Sequence, residues 1–503
     1  MVIAFLNPIF RFIYERPSAR QKLSPPNSPL LLKSAVELAK MVRSREVSCV
    51  DVVSAFVQRS RELNKIVNAL VVDCYDEALR EAERVDERLS GGKNVTEQEA
   101  PLLGVPFTAK EAFAAKGLAN TSGLLNRKHV IASTDAVVVA RLRAAGAILI
   151  GLTNCSELCM WYESNNLIYG RTKNAYHRGR IVGGSSGGEA CQISCISVIG
   201  VGSDIGGSIR MPAFFNGIFG HKPTTGIVDN TGQHPIAINE ALTFLSTGPM
   251  CRYSCDLIPM LKVMAGPTDM AKLSVDTKVN IRNLKYYYME DDGGSYLTAP
   301  VDPQIKGAVR SAVSHFGATG CIVRNISCHL MKWSFNIWAT KMSMSGNISF
   351  CKHMGGEKDE VVSPYEELYY WLTLRARHTL PAIGLGILEK FRDKEENEKR
   401  FRDMCDQLRD QLSEILGSEG VFIYPAHPVP APYHNQPLTM IMNFAYTGIF
   451  NVLGFPVTSV PMGLSKEGVP IGIQVVSNFH NDHLALAVAC ELENKFGGWV
   501  KPF

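Results

Sequence analysis

From Ser34 to Asn154, apolar runs of strand length alternate with stretches of helical period, and no other feature restricts the fold so strongly. Ser34-Ala35-Val36-Glu37 has the pattern of a capping box and opens the helical "AVELAKMVRS". Ser48-Cys49-Val50-Asp51 opens "VVSAFVQRSREL" in the same way. "NALVV" has β character and precedes the charged helix "DEALREAERVDERL", which Gly91-Gly92 closes. "LLGVPFTAKEAF" predicts a buried strand running into a turn. A helix started by Thr134/Asp135 and the strand "AILIGLTN" come next. Such alternation predicts a layered α/β fold, a β-sheet covered by helices on both faces.

Beyond Asn154 the pattern persists with one change of texture. Residues 181–226 are dense in glycine and turns, and a second α/β stretch covers roughly 247–290. Roughly 300–420 is more helical and ends in "RDKEENEKRFRDMCDQLRDQLSEIL", the solvated face of a long helix. Strand character returns in "VFIYPAHPVPAP" and "LGFPVTSVPMG", and "DHLALAVACELENKFG" closes the chain as a helix. No repeat appears and no linker is long enough to demand separate domains. Residues 30–503 are therefore expected to form one domain with a helical insertion at about 300–420.

The first fourteen residues, "MVIAFLNPIFRFIY", are apolar apart from Asn7 and Arg11. A helix of that length reaches ~21 Å, short of the ~30 Å hydrocarbon core of a bilayer. Pro8 and Arg11 weaken a spanning role further, and neither a charged leading region nor a small-residue cleavage site marks a signal peptide. Residues 1–22 are expected to be an apolar arm. It either lies in a membrane interface with Arg16, Arg20 and Lys22 at the headgroups, or packs on the body or on a second subunit of a homodimer. The expected location is intracellular and membrane-associated.

The net charge of +4 is spread over 503 residues, and no basic run interleaved with aromatics marks a nucleic-acid surface. Thirteen cysteines form no C-x-x-C pair. Cys155/Cys159, Cys191/Cys195 and Cys251/Cys255 lie four apart, but no histidine cluster completes a ligand set, so no metal is expected. Small buried thiols in a reducing compartment account for them.

Two loops carry the chemistry. "IVGGSSGGEA" satisfies G-x-S-x-G at Gly183, Ser185 and Gly187, the elbow that would make Ser185 a nucleophile. That elbow needs a solid strand before it, and "NAYHRGRIV" offers three apolar residues at most. The second loop, "SDIGGSIRMPA", sets Ser208 behind two glycines, so the backbone N–H groups of Ile205, Gly206, Gly207 and Ser208 are able to approach a developing oxyanion. A serine needs a base. His221 is close in sequence to Ser208, yet a lone histidine is more often structural. Lys110 ends an apolar strand, where loss of water favours the uncharged amine that acts as a base. Pairing with Glu111, or a side chain that reaches out to solvent, is the alternative.

The stretches "GVPFTAK", "GGSSGGEA" and "GSDIGGSIRMPAFFNGIFGHKPTTG", supported by "GAILIGLTNCSE" and "TGPMCRY", closely resemble the amidase signature family over nearly all of residues 30–500. Within it, "NCSELCMWYES", "LKVMAGP" and "FGGWV" are most similar to the fatty-acid amide hydrolases of the second type. The resemblance implies a large mixed sheet with a mainly parallel core. It makes Ser208 the nucleophile, Lys110 the ultimate base, and Ser185 the bridge that passes a proton between them. The bond Gly184–Ser185 would be cis, Ser186 a supporting hydroxyl, and Asp204 and Arg210 the holders of the nucleophile loop. The implied reaction cleaves a long-chain fatty-acid amide through an acylated Ser208, with no cofactor. The implied partners are a lipid-like amide and a membrane interface reached by the arm.

One segment departs from that pattern. Between the loops, the chain is one residue short in the helix or turn around Gln192–Ser197. Such a loss rotates the residues downstream of it by ~100° unless a turn absorbs it. The competing functions are a glutaminase subunit of a transamidating complex, an α/β-hydrolase using Ser185, and an inactive lipid-binding relative.

Overall fold

The computed structural model describes residues 2–92, 94–358, 360–391 and 394–503, with side chains from Asn7 onward. Thirteen strands occur among them: β1 (Leu70–Asp73), β2 (Pro106–Lys110), β3 (Ile148–Thr153), β4 (Asn165–Asn166), β5 (Gly170–Arg171), β6 (Ile199–Asp204), β7 (Phe219–Lys222), β8 (Ser246–Cys251), β9 (Lys285–Tyr288), β10 (Ile322–Asn325), β11 (Gly420–Tyr424), β12 (Val457–Leu464) and β13 (Pro470–Ser477). The small β4–β5 pair stands apart, and the other eleven form one sheet in the order β1-β3-β2-β6-β8-β7-β12-β13-β11-β9-β10. The sheet is mixed, as expected. Parallel pairing occupies two triplets, β3-β2-β6 and β11-β9-β10, and antiparallel ladders join them. One sheet thus draws strands from residue 70 to residue 477.

Local signals placed most helices correctly. Ser34 and Glu37 form the reciprocal capping box of the helix Ala35–Arg43, and Ser48 caps Cys49–Val67 through the Asp51 N–H at 2.9 Å. Thr134/Asp135 is an exception. Its helix is Val137–Ala144 and no side chain caps it. Asp135 accepts the Lys116 N–H at 2.7 Å instead, so a tertiary contact outcompetes the local cap.

The sheet positions the two loops. β2 and β6 run parallel side by side, so Lys110 and Ser203-Asp204 leave the sheet at the same edge. The serine loop precedes the buried helix Gly187–Cys195, which ends in a widened turn over Gln192–Ser197. Gln192 O accepts both Ile196 N–H at 2.8 Å and Ser197 N–H at 2.7 Å, and Ile196 leaves the helical conformation. This widened turn lets β6 start at Ile199 in register with Phe107 of β2.

The segment 300–420 contains helices Pro303–Ala318, Ser334–Met344, Pro364–Leu372, Leu380–Leu388 and the long Glu395–Leu416, with β10 among them. The charged Glu395–Leu416 buries only one stripe, Phe401, Cys405, Leu408, Leu412 and Leu416. Residues Val2–Tyr14 form a helix that lies on the body. Asn7 accepts from Gln436, the Tyr14 hydroxyl accepts from Asn435, and Glu15 meets Tyr433 and His177. Its outer side chains remain in water, Phe12 at 89% exposure. No helix among the described residues is long and apolar enough to cross a membrane.

Candidate active site

Ser185 is held where only glycine fits before it. A Cβ on Gly184 would lie 2.4 Å from the Trp161 carbonyl oxygen, and the Gly184–Ser185 peptide is cis. No strand precedes the loop, so the elbow geometry of an α/β-hydrolase is absent there. The Ser185 hydroxyl accepts from Lys110 Nζ at 2.7 Å, and the same amine donates to Ser203 Oγ at 3.0 Å. Both Lys110 and Ser185 are buried. Glu111 is not Lys110's partner: its Oε1 accepts from Thr121 N at 2.6 Å and from the Tyr169 hydroxyl.

The second loop is built around one buried ion pair. Asp204 and Arg210 meet in two parallel bonds, Nη2 to Oδ1 at 2.9 Å and Nε to Oδ2 at 3.0 Å. Arg210 also donates to Asn451 Oδ1 at 2.6 Å and to Thr447 O at 2.9 Å. Burial opposes charge on Asp204, but the guanidinium, the Ile209 N–H and Asn451 outweigh it and hold the carboxyl well below the usual carboxylate range. Asp204 further accepts the N–H of Gly207 at 2.7 Å and of Ile209 at 3.0 Å. Of the four backbone N–H groups expected to face an oxyanion, that of Gly207 is engaged by Asp204, whereas those of Ile205, Gly206 and Ser208 have no acceptor among the described residues. Gly207 has φ +120°, and a Cβ there would fall 2.0 Å from Thr447 Oγ1.

The loops are stitched to each other. Ser186 N–H donates to Ser208 O at 3.2 Å, and Ser186 Oγ bonds to Ser203 O at 3.3 Å. Ser186 is thus a brace between loops, and among the three serines it is Ser208 that keeps most access to solvent, 8% against 1% and 0% for Ser185 and Ser186. Ser208 Oγ makes no hydrogen bond among the described residues. His221 is not placed as its base: its ring meets Thr458 at 2.9 Å and Asp482 at 3.2 Å, both buried.

Three groups next to these loops carry shifted protonation. Burial pushes the Glu189 carboxyl up to about 8, against hydrogen bonds from Thr108 and Thr153. Burial also pushes Glu111 to about 7. The neighbouring Cys155 and the adjacent Lys110 hold the Cys159 thiol below its ordinary range, against its partial burial.

Several site residues escaped sequence reasoning. Ser203 lies in "GSDIGGS" itself, one residue before Asp204, but nothing local says that it faces Lys110. Trp338 donates its indole N–H to Ile205 O at 2.9 Å, and Thr447 Oγ1 donates to Gly206 O at 2.9 Å. These come from 133 and 241 residues away, and no motif links them to the loop.

A serine hydroxyl at a nest of unengaged backbone N–H groups, beside a buried hydroxyl–amine chain, suits attack on a carbonyl and proton transfer without a metal in either step. The fold and the sequence agree on the class: the chain belongs to the amidase family, whose model matches residues 51–486, and it is an amide-hydrolysing enzyme. It is 50% identical to fatty-acid amide hydrolase 2 of Homo sapiens, over 95% of this chain and 92% of that one. It is 48% identical to fatty-acid amide hydrolase 2-A of Danio rerio, over 96% and 92%. A solved structure described as a fatty acid amide hydrolase superposes with a TM-score of 0.76 at 23% identity, covering 100% of this chain and 91% of that one.

Proposed function

We propose that the protein hydrolyses long-chain fatty-acid amides to fatty acid and amine, with Ser208 as nucleophile, Ser185 as proton bridge and Lys110 as base. The observation that carries this reading is the 2.7 Å contact of Lys110 with Ser185, set beside the loop that presents Ser208. Ser208 Oγ attacks the amide carbonyl carbon while its proton passes to Ser185 Oγ and the Ser185 proton to the free amine of Lys110. The carbonyl oxygen becomes an oxyanion facing the N–H groups of Ile205, Gly206 and Ser208. Collapse breaks the C–N bond, and the proton returns through Ser185 to the leaving amine. Water then attacks the acyl-Ser208 ester by the same relay, releasing the acid.

An apolar acyl group finds apolar neighbours. Ile205, Trp338 and Phe444 are only partly buried, and the Trp338 and Phe444 rings lie 3.4 and 3.5 Å from where a Gly206 Cβ would be. A lipid surface as the source of substrate is supported by the hairpin Pro364–Leu388. Tyr369, Leu372, Leu374 and Leu388 there are exposed, apolar side chains of a kind that a lipid surface covers. Glu157 ties that hairpin to the loop bearing Cys159 and Trp161, accepting from Thr379 N–H at 2.7 Å and pairing with His378 at 2.7 Å. The exposed Ile9, Phe12 and Ile13 of the N-terminal helix fit the same surface.

The test is a hydrolysis series over acyl chain length on vesicle-dispersed amides, with Ser208→Ala as control. Turnover rising with chain length and lost in the variant supports the reading. Faster cleavage of short polar amides sinks the substrate class, and turnover retained by Ser208→Ala sinks the mechanism.

A further inference from the structure

The loop offered to the oxyanion consists of two successive peptide planes that are held unequally. In a planar trans peptide, the C=O of one residue and the N–H of the next point in opposite directions, so fixing one fixes the other. The Gly206–Gly207 plane is tied at both ends. Gly206 O accepts from Thr447 Oγ1 at 2.9 Å, and Gly207 N–H donates to Asp204 Oδ1 at 2.7 Å. The Ile205–Gly206 plane, which carries the unengaged Gly206 N–H, is tied at one end only, where Ile205 O accepts from Trp338 Nε1 at 2.9 Å. Glycine on its far side offers little resistance to rotation. If this plane turned over, the Ile205 carbonyl would stand where the Gly206 N–H is needed, and an oxyanion would meet a dipole of the wrong sign.

The indole is itself well seated. Its ring meets Phe444 edge-on at 4.7 Å and 80°, and Phe444 meets Phe335 in the same manner at 6.0 Å. A Cβ on Gly448 would come within 3.1 Å of Trp338 Cδ1, so the helix Ala445–Leu453 leaves a notch for the ring. Trp338 stands on the helix Ser334–Met344, outside the sheet that carries both serine loops. A part of the helical segment therefore reaches back to the nucleophile loop.

We infer that Trp338 is a positioning residue for amide hydrolysis, its indole N–H holding the Ile205–Gly206 peptide so that the Gly206 N–H faces the tetrahedral oxyanion. This rests on Ser208 being the nucleophile, which is checked first by fluorophosphonate labelling of wild type and Ser208→Ala. Absence of label on wild type, or its persistence in Ser208→Ala, overturns that reading and this one together.

With labelling established, Trp338→Phe removes the N–H and keeps an aromatic ring against Phe444. Hydrolysis of dodecanoyl p-nitroanilide is followed per labelled site, so that partial unfolding of the variant does not enter the rate. A fall in kcat of roughly 10- to 100-fold with KM changed less than about threefold is expected, as for weakening one oxyanion donor. Inhibition by dodecyl trifluoromethyl ketone, which adds Ser208 to give an oxyanion, weakens by a similar factor. Inhibition by dodecanoic acid, which forms no oxyanion, stays as in wild type. Unchanged kcat, or a loss confined to KM and to dodecanoic acid binding, overturns the inference and leaves Trp338 as a wall of the acyl site alone.

Discussion

Lys110 Nζ sits 2.7 Å from Ser185 Oγ and 3.0 Å from Ser203 Oγ, a buried amine between two hydroxyls that come from different loops. The two contacts have different consequences. In the proposed relay Ser185 lies on the route to Ser208, whereas Ser203, the residue before the last of β6, braces the amine. Ser185→Ala and Lys110→Ala are each expected to lower kcat by roughly 10²–10⁴, the range for loss of a proton-transfer group. Ser203→Ala should cost about tenfold, the equivalent of one hydrogen bond. Steady-state kinetics on one long-chain amide discriminates them; equal losses in all three would deny Ser185 its separate role.

The Asp204–Arg210 pair is fully buried and bidentate. Asp204→Asn keeps the shape but leaves the Arg210 charge without its counter-ion, which costs about 3–5 kcal/mol in comparable buried pairs. Chemical denaturation should show that loss, and labelling of Ser208 should slow as well, because Asn keeps one acceptor oxygen where Asp204 uses two, so one of the Gly207 and Ile209 N–H groups loses its acceptor. A variant as stable as wild type would contradict the assignment of this pair as the loop's anchor.

Glu189 ties stability to pH. Its carboxyl is pushed up by burial from an ordinary 4.5 to about 8, so the folded state binds the proton more tightly than the unfolded chain. Its contribution is complete below about pH 4.5 and is lost as pH rises toward 8. Buried Lys222, held down to about 7, acts in the opposite sense above neutrality, so the informative quantity is a difference between proteins. The melting temperature of Glu189→Gln relative to wild type should rise steadily from pH 5 to 8.5. A constant offset would mean that Glu189 does not titrate in that window.

The exposed apolar residues make a claim about surfaces. Phe12 and Leu374 are 89% and 95% exposed, on separate elements. A Phe12→Glu/Leu374→Glu double variant is expected to sediment less with anionic vesicles, while its turnover of a short soluble amide stays at the wild-type level. Undiminished vesicle binding would remove the membrane from the proposal. Both positions lie outside the hydrogen-bonded network of the site, so folding is not at issue.

How much of this was visible beforehand depended on how local each signal is. The capping box at Ser34 and the apolar run ending in Lys110 act through neighbours one to four residues away, and the chain displays them directly. The glycines around Ser185 and Ser208 are equally visible, but the groups they make room for, Trp161 and Thr447, are not. Asp135 shows the limit: it has the right chemistry for a cap, but a contact 19 residues away claims it. The short segment after Gln192 shows the converse. Where the loss of one residue would rotate a helix by ~100°, the chain leaves the helix through one widened turn, which only the backbone path reveals.

The sequence by itself determined the α/β layering, the family and the two serine loops, because periodicity, glycine placement and motif spacing are properties of contiguous residues. Only the tertiary structure decided that Ser203 shares the Lys110 amine, that Asp204 accepts the Gly207 N–H, and that Trp338 donates to the Ile205 carbonyl. The first and last of these join residues 93 and 133 positions apart, brought together by strand order and helix packing. The Asp204 contact spans three residues, yet which N–H it captures depends on where Arg210 and Asn451 fix the carboxylate.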